Sequence, residues 1–153
     1  AEEVTTFDAG LRTLAGDMLE TMDNAGGVGL AANQVGIVKR IFVYDCSHTQ
    51  SGLRGAIVNP VWEPVGTQQQ TGPEGCLSIP GISAETTRYN QVFVSGRDIE
   101  GRPVSMGASG LMARCIQHET DHLDGVLFLQ RLEAAVRKDA LRAIRESAWF
   151  NAA

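Results

Sequence analysis

The chain predicts an α+β fold with antiparallel strands, and three observations lead there. Helix-like and strand-like segments come in blocks rather than in regular alternation. The strand-like runs are short and are separated by glycine and proline turns, as in strands that pair with their sequence neighbours. At 153 residues and 43% apolar content, the chain has the size and the hydrophobic material for one core, so residues 1–153 are expected to form a single domain.

The first element is a helix over residues 8–23. Leu11, Leu14, Ala15, Met18, Leu19 and Met22 recur at helical spacing. Asp8 suits the N-cap, and Gly26-Gly27 suits the stop. The stretch from Gly26 to Gln34 is glycine-rich, then small and apolar, and ends in an amide. No G-K-[ST] follows it and the G-x-G-x-x-G spacing is absent, so it is not a phosphate loop. By itself it reads as a helix-ending loop, although glycines there let another backbone approach closely and Gln34 offers an N–H suited to an oxyanion. Strand-like runs follow at 37–45, 55–61, 82–87, 91–98 and 102–106. The polar stretch 66–72 between them is expected to be a mobile loop.

A second helix starts near Ser109. Leu111, Met112, Cys115 and Ile116 give it one apolar face, and Leu123-Asp124-Gly125 supplies its end. A last helix is expected from 132 to about Trp149, with Leu132, Val136, Ala140, Leu141 and Ile144 on one face.

The second helix carries the chemistry. His118-Glu119-Thr120-Asp121-His122 reads H-E-x-x-H. On a helix, residues four apart project from the same face, so His118 and His122 can grip one divalent ion while Glu119 handles a proton. A short motif also arises by chance on polar helices. Here, however, the two histidines follow an apolar face, and a histidine at the edge of a core needs a partner. A catalytic metal usually takes three protein ligands and leaves one position open. The remaining candidates are His48, the carboxylates, and Cys46, Cys76 and Cys115. An isolated cysteine is usually a small buried hydrophobe. That is the reading for Cys46, beside the apolar run 41–44. It is also the reading for Cys115, one turn before His118, which is expected to line the site without binding metal. Cys76 stands out because glycines and prolines on both sides, from Gly72-Pro73 to Pro80-Gly81, hold it in an irregular path.

Three segments taken together resemble peptide deformylase. They are Gly27-Val28-Gly29-Leu30-Ala31-Ala32-Asn33-Gln34, then Glu74-Gly75-Cys76-Leu77-Ser78, then Gln117-His118-Glu119-Thr120-Asp121-His122. They match that family's G-x-G-L-A-A-x-Q, E-G-C-L-S and Q-H-E-x-D-H motifs in order and without substitution. The resemblance spans about Leu11 to Leu132, and the text around Val43-Tyr44-Asp45-Cys46 looks like the actinobacterial branch. It implies antiparallel sheets packed around a central helix carrying H-E-x-x-H. It implies Cys76, His118 and His122 as metal ligands, Glu119 as general acid/base, and Gln34 with the backbone N–H of Leu77 as oxyanion donors. The implied reaction is hydrolysis of the formyl group of N-formyl-methionine on new polypeptides, releasing formate. One divalent metal is implied, Fe(II) in the cell, with Zn, Ni or Co as substitutes. The methionine side chain would need an apolar pocket, for which Val28, Gly29, Leu111 and Cys115 are the expected walls. Arg114 stands on the same helix where many relatives are apolar, and is expected to be solvated rather than to face the pocket mouth. The resemblance also implies a further N-terminal segment ahead of the first helix, whereas Ala1 stands almost at that helix here.

Composition excludes little else. A net charge of −5 and a pI of about 5.1 argue against broad nucleic-acid affinity. Arg131, Arg137, Lys138, Arg142 and Arg145 form one basic cluster. It is the place for a transient ribosome contact, but its plainer reading is a solvated helix face. Three cysteines at irregular spacing imply no disulfide framework. No run is long and apolar enough for a membrane helix and no signal peptide is evident, so a cytoplasmic monomer is expected. Two rivals differ in chemistry. A zinc protease of the H-E-x-x-H class needs a later third ligand, for which only Glu133 and Glu146 are available as glutamates. A non-catalytic binder would keep the metal site and lack turnover.

Overall fold

The computed structural model describes residues 1–49 and 52–147. Helix α1 runs Ala9–Ala25. Asp8 caps it by accepting the Leu11 N–H at 3.0 Å, and Gly26 ends it in the left-handed conformation at φ 70°, which glycine adopts without steric cost. Its apolar stripe of Leu11, Ala15, Met18 and Met22 is buried, as the spacing predicts.

Five strands form the main sheet: β1 (Gly29–Ala31), β2 (Ile41–Asp45), β3 (Arg54–Pro64), β6 (Gln91–Arg97) and β7 (Pro103–Ser109). Their spatial order is β1-β2-β3-β6-β7, and every pairing is antiparallel. A separate hairpin pairs β4 (Gln69–Cys76) with β5 (Ile79–Tyr89). Helix α2 (Gly110–Leu123) lies between the main sheet and this hairpin. Of its fourteen residues, every one from Met112 to Leu123 is buried. Helix α3 (Ala134–Glu146) packs against β5 after a 3₁₀ turn at Phe128–Arg131.

Three apolar clusters tie these layers together. One joins the main sheet to α2 through Phe42, Ile57, Val94, Met112 and Ile116. A second joins α1 to β1, β2 and β3 through Leu11, Met18, Ile41 and Val43. The third holds α3 and the 3₁₀ turn on β5 through Ile79, Ile82, Phe128, Leu132 and Ala140.

The sequence expectations fail in four places. The segment read as a helix-ending loop contains β1 and a 3₁₀ turn at Ala32–Val35. The run 37–45 forms a strand only from Ile41. The stretch expected to be a mobile loop, 66–72, enters β4 at Gln69. The last helix begins at Ala134 with Leu141 exposed rather than on the buried face; its expected end at Trp149 lies outside the described residues. β4 misled because its residues are polar on both faces, and its order comes from backbone pairing with β5, which no side-chain alternation announces.

Candidate metal centre

α2 presents His118 and His122 from one face, one turn apart, with ring centroids 4.8 Å apart. The β4–β5 hairpin closes over them. Its two-residue turn, Leu77-Ser78, leaves Cys76 at the tip of β4, paired with Ile79. The result is a cluster of three candidate ligands. Cys76 Sγ lies 3.1 Å from His122 Nε2, and the two Nε2 atoms lie 3.1 Å apart. Cys76, His118 and His122 offer ligand atoms all within 4.8 Å of one another. Two nitrogens at tetrahedral angles on one zinc-sized ion stand about 3.3 Å apart, so small adjustments accommodate an ion. His48, the other histidine candidate, is exposed and takes no part. Cys46 is fully buried in the sheet–α2 core, and Cys115, 4% exposed, sits in the same core at the edge of the cleft.

The electrostatics suit a cation. Burial works against a charged Cys76, but hydrogen bonds from His118 and His122 outweigh it and bring the thiol down to about 5. Burial likewise disfavours a charged His118, yet its contacts with Cys76 and Glu74 raise it to about 10. Both shifts favour the charged forms of the pair, and binding of a cation there would release a proton.

Glu119 is buried, with 2% of its surface exposed. Its Oε1 has no hydrogen-bond partner and stands 3.9 Å from His118 Nε2, too far for a bond. Burial pushes this carboxyl up to about 7, although His118 and His122 pull the other way. An unpartnered carboxylate oxygen facing the ligand cluster is the feature expected of a proton acceptor awaiting a water. Gly29 makes room for it: a Cβ there would fall 2.8 Å from both Glu119 Oε2 and Cys115 Sγ. The lean loop is thus a close approach of β1 to α2.

Gln34 is held by its own carbonyl, whose Oε1 accepts the Ala31 N–H at 2.8 Å. That turns Nε2 towards the hairpin tip, 3.0 Å from Ser78 Oγ and 3.5 Å from Cys76 Sγ. Val28, Gly29, Leu111 and Cys115 line one cleft of about 810 Å³ with Gln34, Cys76 and Leu77, and His118 and Glu119 open onto it.

Sequence reasoning missed the charges behind the cluster. Glu74 is 6% exposed and accepts from His118 Nδ1 at 2.7 Å, Arg88 NH2 at 2.7 Å and Arg114 NH1 at 2.8 Å. Arg88 also donates to Asp121 at 2.7 Å, and Asp121 accepts from Arg131 at 2.9 Å. Arg114, expected to be solvated, is 7% exposed; the folded hairpin covers it. A carboxylate on the far nitrogen of a ligand histidine fixes its tautomer and ring orientation. The signal available was the glutamate two residues before Cys76.

Glu74 also sets a pH response. Burial alone would raise its pKa, but His118 and Arg88 outweigh that and hold it at about 2 against an ordinary 4.5. A folded-state value below the unfolded one stabilises the fold above about pH 4.5, and the stabilisation drains away as pH falls towards 2. Glu74→Gln should destabilise the metal-free protein at pH 7 by about 3–5 kcal/mol, the usual result of breaking a buried ion pair. Urea midpoints should show the gap from wild type narrowing at pH 3. An unchanged gap would mean that Glu74 acts by shape rather than charge.

Comparison with known proteins agrees with this site. The family profile described as polypeptide deformylase matches residues 1–138. Peptide deformylase 1 of Corynebacterium efficiens is 65% identical over 151 residues, covering 99% of this chain and 89% of that protein. The Corynebacterium glutamicum counterpart is 64% identical over the same length, which supports the actinobacterial placement. Among solved structures, a peptide deformylase from Synechococcus elongatus in complex with actinonin superposes with a TM-score of 0.87 at 41% identity, covering 98% of this chain and 83% of that one. That from Thermus thermophilus gives 0.86 at 42%, covering 95% and 84%. With motifs, fold and relatives in agreement over nearly its whole length, the chain belongs to the polypeptide deformylase family.

Proposed function

We propose that this chain removes the N-formyl group from N-formyl-methionine at the start of new polypeptides, using one divalent metal held by Cys76, His118 and His122. The observation that carries this reading is the unpartnered Glu119 Oε1 beside a Cys/His/His cluster at the floor of a cleft. A bound ion supplies Lewis acidity and brings the pKa of water towards neutrality. Glu119 takes the proton from the attacking water and returns it to the leaving amine. Gln34 Nε2 and the Leu77 N–H donate to the oxygen on which negative charge develops. Glu74 keeps His118 aimed by holding its Nδ1. Val28, Gly29, Leu111 and Cys115 receive the methionine side chain. The protein residues do not choose sharply among metals, since thiolate and imidazole suit iron, zinc, nickel and cobalt; ferrous iron is the proposed metal in the cell.

The chain acts as a monomer in the cytoplasm, where formylated chains are made. No helix among the described residues is long and apolar enough to cross a membrane. Arg137, Lys138, Arg142 and Arg145 are exposed on α3, the face proposed for a transient ribosome contact. The test is direct: the metal-loaded chain should release formate from formyl-Met-Ala-Ser, and a chelator should stop it. Amine release from an unformylated peptide or a large protein would favour a protease instead.

Gln34 gives a finer test. A donor to the developing oxyanion acts in the transition state, so Gln34→Ala should lower kcat more than it raises KM, with metal content unchanged. One such donor is worth about 2.7–4 kcal/mol, and sharing the oxygen with the Leu77 N–H should bring the penalty below that. Gln34→Glu should be at least as damaging, because it adds repulsion. A rise in KM alone would make Gln34 a substrate-binding residue.

A further inference from the structure

Leu111, Arg114, Cys115 and His118 fall at i, i+3, i+4 and i+7 on α2, and all four line the same cleft. The cleft therefore runs along the helix from the ligand cluster towards its N-terminus. At a rise of about 1.5 Å per residue, Arg114 stands about 6 Å along the axis from His118, within reach of a side chain on a substrate held at His118. Three walls of this stretch, Val28, Leu111 and Cys115, are apolar. The fourth is not.

Arg114 fills the hairpin side. NH1 donates to Glu74 Oε1 at 2.8 Å and to the Thr86 carbonyl at 3.0 Å. NH2 has only a long contact, 3.5 Å to Gln70 Oε1. Nε has no partner among the described residues. The side chain is 8% exposed and borders the cleft; its unpartnered Nε is not sealed from solvent, since the buried side-chain atoms without a partner among the described residues belong to Asn33, Glu119 and Thr120. Gly72 comes close on the NH2 side, where a Cβ would lie 3.6 Å from NH2.

We infer that Arg114 sets the polarity of the side-chain pocket, so that the chain deformylates peptides whose first residue carries a hydrogen-bond acceptor at its far end, oxidised N-formyl-methionine (the sulfoxide) among them. This rests on the function proposed above. A thioether sulfur is a weak acceptor, whereas a sulfoxide oxygen is a strong one, and a buried cationic donor rewards the stronger. Norleucine matches methionine in length and offers no acceptor at all. In a wholly apolar pocket a sulfoxide would enter without a partner and be rejected.

The experiment compares kcat/KM for formyl-methionine, formyl-methionine-sulfoxide and formyl-norleucine tripeptides on the metal-loaded protein, wild type and Arg114→Met. It also compares the affinity of the matching deformylated tripeptides by calorimetry. The wild type should process the sulfoxide within about tenfold of methionine, and Arg114→Met should lower the sulfoxide-to-norleucine ratio by about tenfold or more, the worth of a charged hydrogen bond. The affinities of the products should shift in the same sense. Using a ratio separates this role from any general loss caused by disturbing Glu74, which would lower all three substrates together. Arg114→Lys, which keeps the charge and one donor group, should fall between the two. A ratio equal in wild type and Arg114→Met overturns the inference. If that variant does not fold, a wild-type loss of about a thousandfold on the sulfoxide overturns it alone. Failure on formyl-methionine itself would instead strike the proposed function.

Discussion

Cys76→Ala should bind no metal at stoichiometric level and should release no measurable formate. The two histidines alone are a poor cage. They supply neutral nitrogens, whereas Cys76 supplies the one anionic donor, and the site keeps it anionic: despite burial, hydrogen bonds from His118 and His122 hold the thiol at about 5. Removing it also takes a partner from His122 Nε2, which sits 3.1 Å from Cys76 Sγ. Metal affinity is expected to fall by several powers of ten, on the order of what a ligand thiolate contributes to a structural or catalytic site. Elemental analysis after dialysis is the measurement. Cys46→Ala serves as the control: Cys46 is buried in the sheet–α2 core, so this change should lower stability by cavity formation and leave one ion per chain. One ion retained by Cys76→Ala would move the third ligand to another residue.

The candidate ligands, which the fold brings together, were legible in sequence because each sits in a short segment whose local geometry suffices. His118 and His122 need only a helix, and Cys76 needs only a turn that brings the end of β4 over that helix. The α1 stripe and the β6 and β7 strands were legible for the same reason, since their patterns are local. What sequence did not disclose depends on pairs far apart in the chain. Arg114 looks like a helix-surface arginine until β4 and β5 fold across it and supply Glu74 and the Thr86 carbonyl. Asp121 looks like one more polar position in the motif until Arg88, 33 residues earlier, reaches it at 2.7 Å. Neither partner can be read from periodicity, because a charged residue at a given helical position is compatible with solvent or with a buried counter-charge. The cost of being wrong differs greatly between the two cases.

Glu119→Gln should keep the metal and lose turnover by about a hundredfold or more, the usual contribution of a positioned acid/base. Metal should stay because Glu119 is not within bonding reach of the cluster; its Oε1 lies 3.9 Å from His118 Nε2. Turnover should fall because glutamine preserves the shape yet cannot accept a proton. Stability offers an independent check on the same residue. Burial raises the Glu119 carboxyl from an ordinary 4.5 to about 7, so folding favours its protonated form. A carboxyl with a raised folded-state value contributes stability at low pH that is lost as pH climbs through that window. Glutamine carries no such charge. The metal-free variant should therefore be no less stable than wild type at pH 5 and more stable at pH 8, a difference visible in thermal midpoints. The two readouts then move in opposite directions: slower chemistry and a firmer fold, as expected where a buried group is kept for its proton rather than for packing. Near-normal formate release by Glu119→Gln would remove it from the mechanism. A variant that loses both metal and stability would instead make Glu119 a structural prop of the cluster.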